Sequence, residues 1–412
     1  MAYGFTVFLF FVLTLGACAP PSGTPPDYER VFSDKRIQAW ELSLDGDDWL
    51  ALLTMPDAYV PVDLWVDGEG IQDVGLRFMG DPLDRKPSMR IRFNAFRPEL
   101  TYHGLKRVNL RSTGNDPSQV REVAASALLR RAGLLAPRAS LVEVWLDGEG
   151  PGLYSLVEQV DRKFLEDRFG ENDGQLIKLE TGGMLLDPGE QLDELVYEFK
   201  GDDVEPDTEG FLAFLHVLNR TPDEAIEDLL PAWVDVEACL KLWAVLAWAV
   251  HLDSYLGTGD NLYLYRDESG VQRPIPWDLN RAFANYHGTS CGMSTDDMLG
   301  MDPGEPTCGG PRPLVDRLLA VPAWRARYEA LLLDLIDGPL GLAGVERELV
   351  RWHELAQASA FRDALSDYSP EQFMQALEQD TPLGDNPRRV PGLLPFVRAR
   401  DAWIRQVLSV GD

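Results

Sequence analysis

Cysteine and histidine are scarce in this chain, four of one and five of the other in 412 residues. No C-x-x-C pair occurs, so a zinc site has no support. Basic residues are also few, 38 Lys and Arg against 67 Asp and Glu, for a formal net charge of −29. Such a surface repels a phosphate backbone, whose binding needs clustered cations, and this argues against nucleic acid as a partner. A basic partner would suit it, and so would no partner at all, the charge then serving a salt-tolerant or highly soluble surface. No Walker-type G-x-x-x-x-G-K-[ST] is present. The apolar run near the start, "GFTVFLFFVLTLGAC", is too short and too sharply ended for a spanning helix. What is abundant is core material: 45% hydrophobic and 10% aromatic residues, enough for one large domain or two ordinary ones.

That first run closes on Leu15-Gly16-Ala17-Cys18, which is similar to the lipobox of bacterial lipoproteins. The similarity implies a signal peptide over residues 1–18, with Cys18 as the lipidated first residue of the mature chain. "APPSGTPPDY" reads as a Pro-rich tether, residues 19–30, ahead of a folded domain over 31–412. The expectation is an exported lipoprotein held at the cell envelope by its lipid anchor alone. Of the remaining cysteines, Cys239 lies in an apolar helical run and reads as a buried free thiol. Cys291 and Cys308 bracket "CGMSTDDMLGMDPGEPTC", a Gly- and Asp-rich loop that a disulfide would pin in an exported protein.

Strand patterns dominate up to about Lys178 and helical patterns beyond Asp207. Two period-two stretches turn at Asp67-Gly68 and Asp147-Gly148, each a tight hairpin signal. Between them one helix is marked by Asp116 as cap, Pro117 in its first turn and Gly133 at its end, with Glu122 off its apolar stripe. Further helices are predicted near 210–217, 225–230, 234–252, 313–320, 323–335, 344–359, 370–377 and 393–408. The fold class is α+β, a strand-rich N-lobe over about 31–158 packed on a mostly helical C-lobe over about 159–412.

The most informative segment is "HLDSYLGTGDNLYLYRDESGVQRPIPWDLN". Asp253 opens a loop whose Gly257 and Gly259 allow unusual backbone angles. "NLYLYR" and "VQRPIPW" form a hairpin; with Arg266 facing Val271, Asn261 faces Pro276 and Asp278 lies just beyond. Pro274 and Pro276 share one parity and can sit on an unpaired edge. Two carboxylates and an amide oxygen at one end of a hairpin are hard ligands of the kind Mg²⁺ or Mn²⁺ prefers, completed by waters and phosphates. The bland reading is a polar hairpin end whose aspartates cap loops. The order of helix, Asp, Asn, hairpin, Asp is also that of protein kinases, although Asp253 and Asn261 are further apart than in the ordinary loop and no D-F-G follows.

The chain resembles the spore-coat CotH kinase family, an atypical branch of the kinase-like fold. The matching stretches include "DVGLRFMGD", "KPSMRIRF", "HGLKRVNLRSTGNDPSQVREVAASALLRRAG", "DNLYLYRDESG" and "IPWDLNRAF", in family order over roughly residues 59–333. The resemblance implies a two-lobed kinase-like fold and ATP-dependent, divalent-metal-dependent phosphorylation of serine on secreted or coat proteins. Carried over, Asp253 matches the catalytic aspartate, Asn261 and Asp278 the metal ligands. Arg92, with Arg90 as its rival on the same strand face, and Glu122 match a pair that holds the nucleotide phosphates. Gly75 and Gly80 flank a strand end that could cover those phosphates. Glu158 occupies the hinge, where it could accept the adenine amine through its backbone or simply join the lobes.

Other signals carry less. "GTSCG" fits G-x-S-x-G but has an irregular loop before it and no strand–turn–helix setting. "HELAQ" lacks the second histidine of a zinc protease, and His103, His216 and His251 stand alone, each suited to a packed or capping role. Two functions remain: an exported kinase acting on protein hydroxyls, with a basic serine-bearing substrate favoured by charge, or a surface protein that uses the same fold for binding without catalysis.

Overall fold

The computed structural model describes residues 26–55, 57–193, 195–201, 205–384 and 388–409. The signal segment 1–18, lipidation at Cys18 and residues 19–25 of the tether lie outside the described residues. The tether's last residues belong to the fold: Tyr28–Val31 forms helix α1, Val31 is buried, and the Asp27 amide donates to the His103 carbonyl at 3.0 Å.

The class is α+β. Seven strands, β1 (Gln38–Ser43), β2 (Val60–Val66), β3 (Glu69–Met79), β4 (Ser88–Arg92), β5 (Arg107–Ser112), β6 (Ala139–Leu146) and β7 (Glu149–Glu158), close a barrel in the order β1-β2-β3-β4-β5-β7-β6. Every neighbouring pair is antiparallel except β1 and β6, which run parallel. The hairpin turns are where the sequence places them, with positive φ at Asp67, Gly68, Asp147 and Gly148 as a two-residue turn requires. Alternation fills the barrel: Leu76, Ile91, Val108 and Leu110 are fully buried inside. Each such side chain contributes about 1.5–3 kcal/mol. The intervening Arg107, Asn109 and Arg111 of β5 are left on the outer face for other work.

Helix α2 (Gly46–Thr54) lies between β1 and β2, and α3 (Arg121–Arg131) between β5 and β6. Helix α3 starts four residues later than its sequence signal suggests, because Gln119 takes φ +54° and interrupts the turn. Asp116 still serves the start: its carboxylate accepts from the Arg121 amide at 2.8 Å and pairs with the Arg121 guanidinium. Gly133, at φ +80°, ends it.

After α4 (Arg162–Phe169) a second sheet runs β11-β10-β8-β9, from β8 (Gln175–Leu179), β9 (Tyr197–Lys200), β10 (Leu262–Arg266) and β11 (Gln272–Pro276). β11 is an edge strand, which accommodates Pro274 and Pro276. The rest is mostly helical, α5 (Thr208–Arg220), α6 (Asp223–Leu229), α7 (Val236–Trp248), α8 (Thr295–Leu299), α9 (Pro313–Ala320), α10 (Pro322–Asp337), α11 (Leu342–Ala360), α12 (Pro370–Gln375) and α13 (Leu393–Ser409), with one short two-stranded sheet of β12 (Thr381–Pro382) and β13 (Arg389–Val390). These helices share one core with α3, separate from the barrel interior. No helix among the described residues is long and apolar enough to cross a membrane.

Candidate active site

The site is built where α7, the β10–β11 hairpin, β5 and α3 converge. Past α7 the chain folds on itself: the Thr258 amide donates to the carbonyls of Leu252 (3.1 Å) and Ser254 (2.9 Å), and that of Gly259 to Ser254 (3.1 Å). A Cβ on Gly257 would lie 2.0 Å from the Leu252 oxygen, so only glycine fits. This knot brings Asp253 back to Asn261, whose Nδ2 donates to the Asp253 carbonyl at 3.0 Å. With its nitrogen thus committed, the amide turns its oxygen elsewhere. The Asn261 carbonyl in turn accepts from the Trp277 amide at 3.1 Å.

That bond corrects the hairpin register by one residue. Arg266 pairs with Gln272 and Leu262 with Pro276, not Arg266 with Val271 and Asn261 with Pro276. The loop is five residues, not four, because the Asp267 side chain accepts from the amides of Ser269 (3.0 Å) and Val271 (3.3 Å). Asn261 therefore pairs with Trp277, and Asp278 follows directly.

Asp278 sits at φ +54°, ψ +66°, a conformation that costs a non-glycine residue about 1–3 kcal/mol unless its surroundings hold it. They do. Its carbonyl accepts from His251 Nε2 at 3.1 Å. Burial drives the pKa of His251 down to about 4, so the ring is neutral and that nitrogen carries its proton. Asp278 Oδ2 pairs with the guanidinium of Arg111, and Oδ1 is buried with no hydrogen-bond partner. Arg111 also reaches Glu122 Oε1 at 3.9 Å, while Glu122 Oε2 is likewise buried and unpartnered. Burial works against the charge on Arg111, but Asp278 and Glu122 outweigh it and hold the guanidinium firmly protonated. Burial, opposed by Arg111 and reinforced by Asp278, keeps Glu122 well above the usual carboxylate range. Burial and then the charge of Asp278 push Asp253 up to about 6.

The cation facing Glu122 is therefore Arg111, and the Arg92–Glu122 pairing expected from the sequence is corrected. Arg92 and Arg90 lie on β4, one strand further from α3 than β5. Arg90 donates to Asn109 Oδ1 at 2.9 Å; Arg92 donates to Asn94 Oδ1 at 3.3 Å and stacks 5.8 Å above the Tyr59 ring. Gly75 stands opposite Arg92, where a Cβ would lie 2.5 Å from that of Ala95; it serves packing. Gly80 turns the chain at φ +82°. Glu158 ends β7 with both carboxylate oxygens engaged, by the Arg138 amide (2.9 Å), its guanidinium (3.0 Å) and that of Arg168 (2.7 Å). Its side chain is committed to the junction of barrel and helices. Cys291 and Cys308 form a disulfide, and Cys239 is a buried free thiol.

Arg111, although inside one of the matching stretches, and His251 are given no role in the site by the sequence. A signal for Arg111 was nonetheless there: Arg107, Asn109 and Arg111 alternate with Val108 and Leu110 on the strand that leads into Glu122.

Among the described residues no group of three or more His, Cys, Asp or Glu side chains is arranged to hold a metal alone. The donors present are the unpartnered Asp278 Oδ1, the Asn261 amide oxygen and the nearby Asp253, hard oxygens that suit a divalent cation sharing its shell with phosphates. A small half-open pocket, about 10 Å³ between Ser112, Thr113, Glu122, Ser155 and Asn280, has room for roughly one water. A nucleotide would have to lie on the open side, where Asp253, Asn261 and Asp278 are each partly exposed. A larger hollow of about 410 Å³, between residues 69–72 and 97–103, involves none of these residues.

A family model described as CotH kinase protein matches residues 81–404. The span includes every residue of the candidate site, while β1 to β3 precede it. Inner spore coat protein H of Bacillus subtilis (strain 168) is 24% identical over 366 residues, 84% of this chain and 91% of that protein. Among solved structures, the complex of HipA, HipB and operator DNA from Shewanella oneidensis MR-1 matches over 81% of this chain at 13% identity and a TM-score of 0.35. This chain spans 65% of the matched one, and at that score the likeness carries no argument.

Proposed function

The chain belongs to the CotH kinase family, and from that premise we propose that it transfers the γ-phosphoryl group of ATP to serine hydroxyls of exported or cell-surface proteins, with Mg²⁺ or Mn²⁺. In this reading the barrel is the N-lobe and the helical part the C-lobe of a kinase-like fold. The observation that carries it is the closeness of Asp253, Asn261 and Asp278: Asn261 bonds to the Asp253 carbonyl and to the amide of Trp277, the residue before Asp278, and the charge of Asp278 bears on the Asp253 carboxyl.

Asp253 accepts the proton of the attacking hydroxyl. With a pKa raised to about 6 it remains ionised at neutral pH yet is a stronger base than a surface aspartate. As the serine oxygen bonds to phosphorus, the bond from phosphorus to the bridging oxygen breaks and ADP leaves. Asn261 and Asp278 would hold the divalent cation, which neutralises phosphate charge when bound. His251 fixes Asp278 at its positive φ by donating to its carbonyl. Arg111, on the same side as Asp278 and steadied by Glu122, presents a guanidinium suited to two phosphate oxygens at once.

Anchoring at the envelope through Cys18 and a basic serine-bearing substrate belong to the same proposal; the charge of −29 supports the latter. The rival is a surface protein that binds without catalysis. It is favoured by the Arg111–Asp278 pair, which already neutralises the proposed metal ligand, and by the small size of the pocket against Glu122. Radiolabelled ATP with Mn²⁺ or Mg²⁺ separates the two. Asp278→Ala should lower label transfer by about 10²–10³-fold with the fold intact by circular dichroism. Equal labelling by wild type and variant overturns the kinase reading.

A further inference from the structure

The knot between Asp253 and Asn261 is gripped from outside by the loop that the disulfide closes. Cys308 donates its amide to the Leu256 carbonyl at 3.1 Å. Gly309, at φ +73°, packs so closely that a Cβ would lie 2.7 Å from the Ser290 oxygen and 3.1 Å from the Gly257 oxygen. Three stretches thus meet at one point: the chain descending from Asp278 toward Cys291, the chain leaving Cys308, and the middle of the knot. Four residues on, Arg312 is fully buried. Its guanidinium donates to the Gly257 carbonyl, to the Pro311 carbonyl at 2.8 Å and to the Met184 sulfur at 3.5 Å. The Arg312 amide donates to Asp316 at 2.7 Å, and the Leu314 amide to the Tyr255 hydroxyl at 3.3 Å. The start of α9 is therefore fastened to the same knot.

We propose that Arg312, secured by the Cys291–Cys308 bridge, is a positioning residue that keeps the knot, and with it Asp253 and Asn261, in register with Asp278, so that the site is assembled only while the bridge is oxidised. The bridge joins the chain beyond Asp278 to the chain that grips Leu256 and Gly257, which closes a ring through Asn261 and Asp278, with Asp253 just outside it and held by its bond to Asn261. Alone, the knot is a run of loop hydrogen bonds with two glycines, the kind of segment that opens locally at little cost. The guanidinium supplies what it lacks, a buried charged donor to its central carbonyl, held in place by its other nitrogen's bonds to Pro311 and Met184. As a role in phosphoryl transfer this rests on the reading above; as a statement of what holds Gly257 it does not.

Both cysteines are partly exposed, so a small dithiol can reach them. Reduction by dithiothreitol transfers two electrons and two protons. The S–S bond breaks, Cys291 and Cys308 become thiols, and the reductant closes to its own cyclic disulfide. The test is hydrogen exchange on the full chain, oxidised and reduced, together with Arg312→Met and Arg312→Lys. Reduction and Arg312→Met should each speed exchange at the amides of 257–261 by at least about tenfold, with the barrel strands unchanged and Arg312→Lys intermediate, because a lysine reaches the carbonyl with fewer donors. Exchange that is unchanged at 257–261, or that rises equally throughout the chain, overturns the proposal. Binding of Mn²⁺ alone, followed by electron paramagnetic resonance, should weaken about tenfold in parallel if those residues form the metal site. Local loosening in a chain whose wild type transfers no label from ATP would uphold the clamp and remove the kinase reading.

Discussion

Two carboxylates sit near the junction of barrel and helices, and they are treated differently. Glu158 is nearly sealed, and two guanidiniums and an amide engage both its oxygens. Asp278 meets one guanidinium, keeps one buried oxygen unpartnered and sits at a positive φ. The first arrangement is saturated and has nothing left to offer a ligand. The second is strained and has a free acceptor, the signature of a residue placed for something other than stability. Both are acids at the ends of apolar strands in the sequence, so only their partners tell them apart.

Three substitutions would sharpen or break this contrast. The largest expected effect is on stability: Glu158→Leu strands two largely buried arginines and should cost about 3–5 kcal/mol in denaturant unfolding, while label transfer per folded molecule stays at the wild-type level. A loss of transfer without a loss of stability would place Glu158 in the site after all. Next, Arg111→Met should lower transfer by about 10²-fold through a raised KM for ATP. If Arg111 only plugs the site, the same change would instead tighten Mn²⁺ binding to the freed Asp278. The smallest effect concerns Asp253, whose folded pKa lies above the unfolded value. Between about pH 4 and 6 the folded chain retains a proton that the unfolded chain has released, so this group makes stability fall as pH rises through that window. The full cost persists above it. Asp253→Asn should therefore stabilise the metal-free protein by about 2 kcal/mol at pH 7.5 and very little at pH 4, measured by urea unfolding. Equal stability of the two proteins at pH 7.5 would mean that Asp253 is not held in a costly environment.

The fold was legible wherever local chemistry decides it. The two Asp-Gly turns set the barrel hairpins, and Pro313, Pro370 and the apolar spacing of α7, α9 and α11 mark helices close to where they occur. Asp253, Asn261 and Asp278 share one segment, so their closeness at the open end of the hairpin was legible as well, while their roles belong to the proposal. What stayed hidden depends on pairing across long separations. Arg111 and Asp278 are joined by the closure of β5 against the helical part, and no local pattern reports which strand faces α3. Arg92 has the right alternation on the wrong strand. The hairpin register slipped because an aspartate side chain, invisible to turn counting, widened the loop by one residue. His251 reads as a solitary core histidine until the carbonyl above it is seen.

The parallel pairing of β1 with β6 sets a timetable for the newly made chain. Gln38 lies beside Val142, so the first strand waits for about a hundred further residues before its second neighbour exists. Throughout that interval Trp40, which ends fully buried, lacks half of its wall. A polypeptide threaded through a membrane from its N-terminus would carry this half-built barrel on the far side until β6 emerged, exposed to proteases and to pairing with other chains.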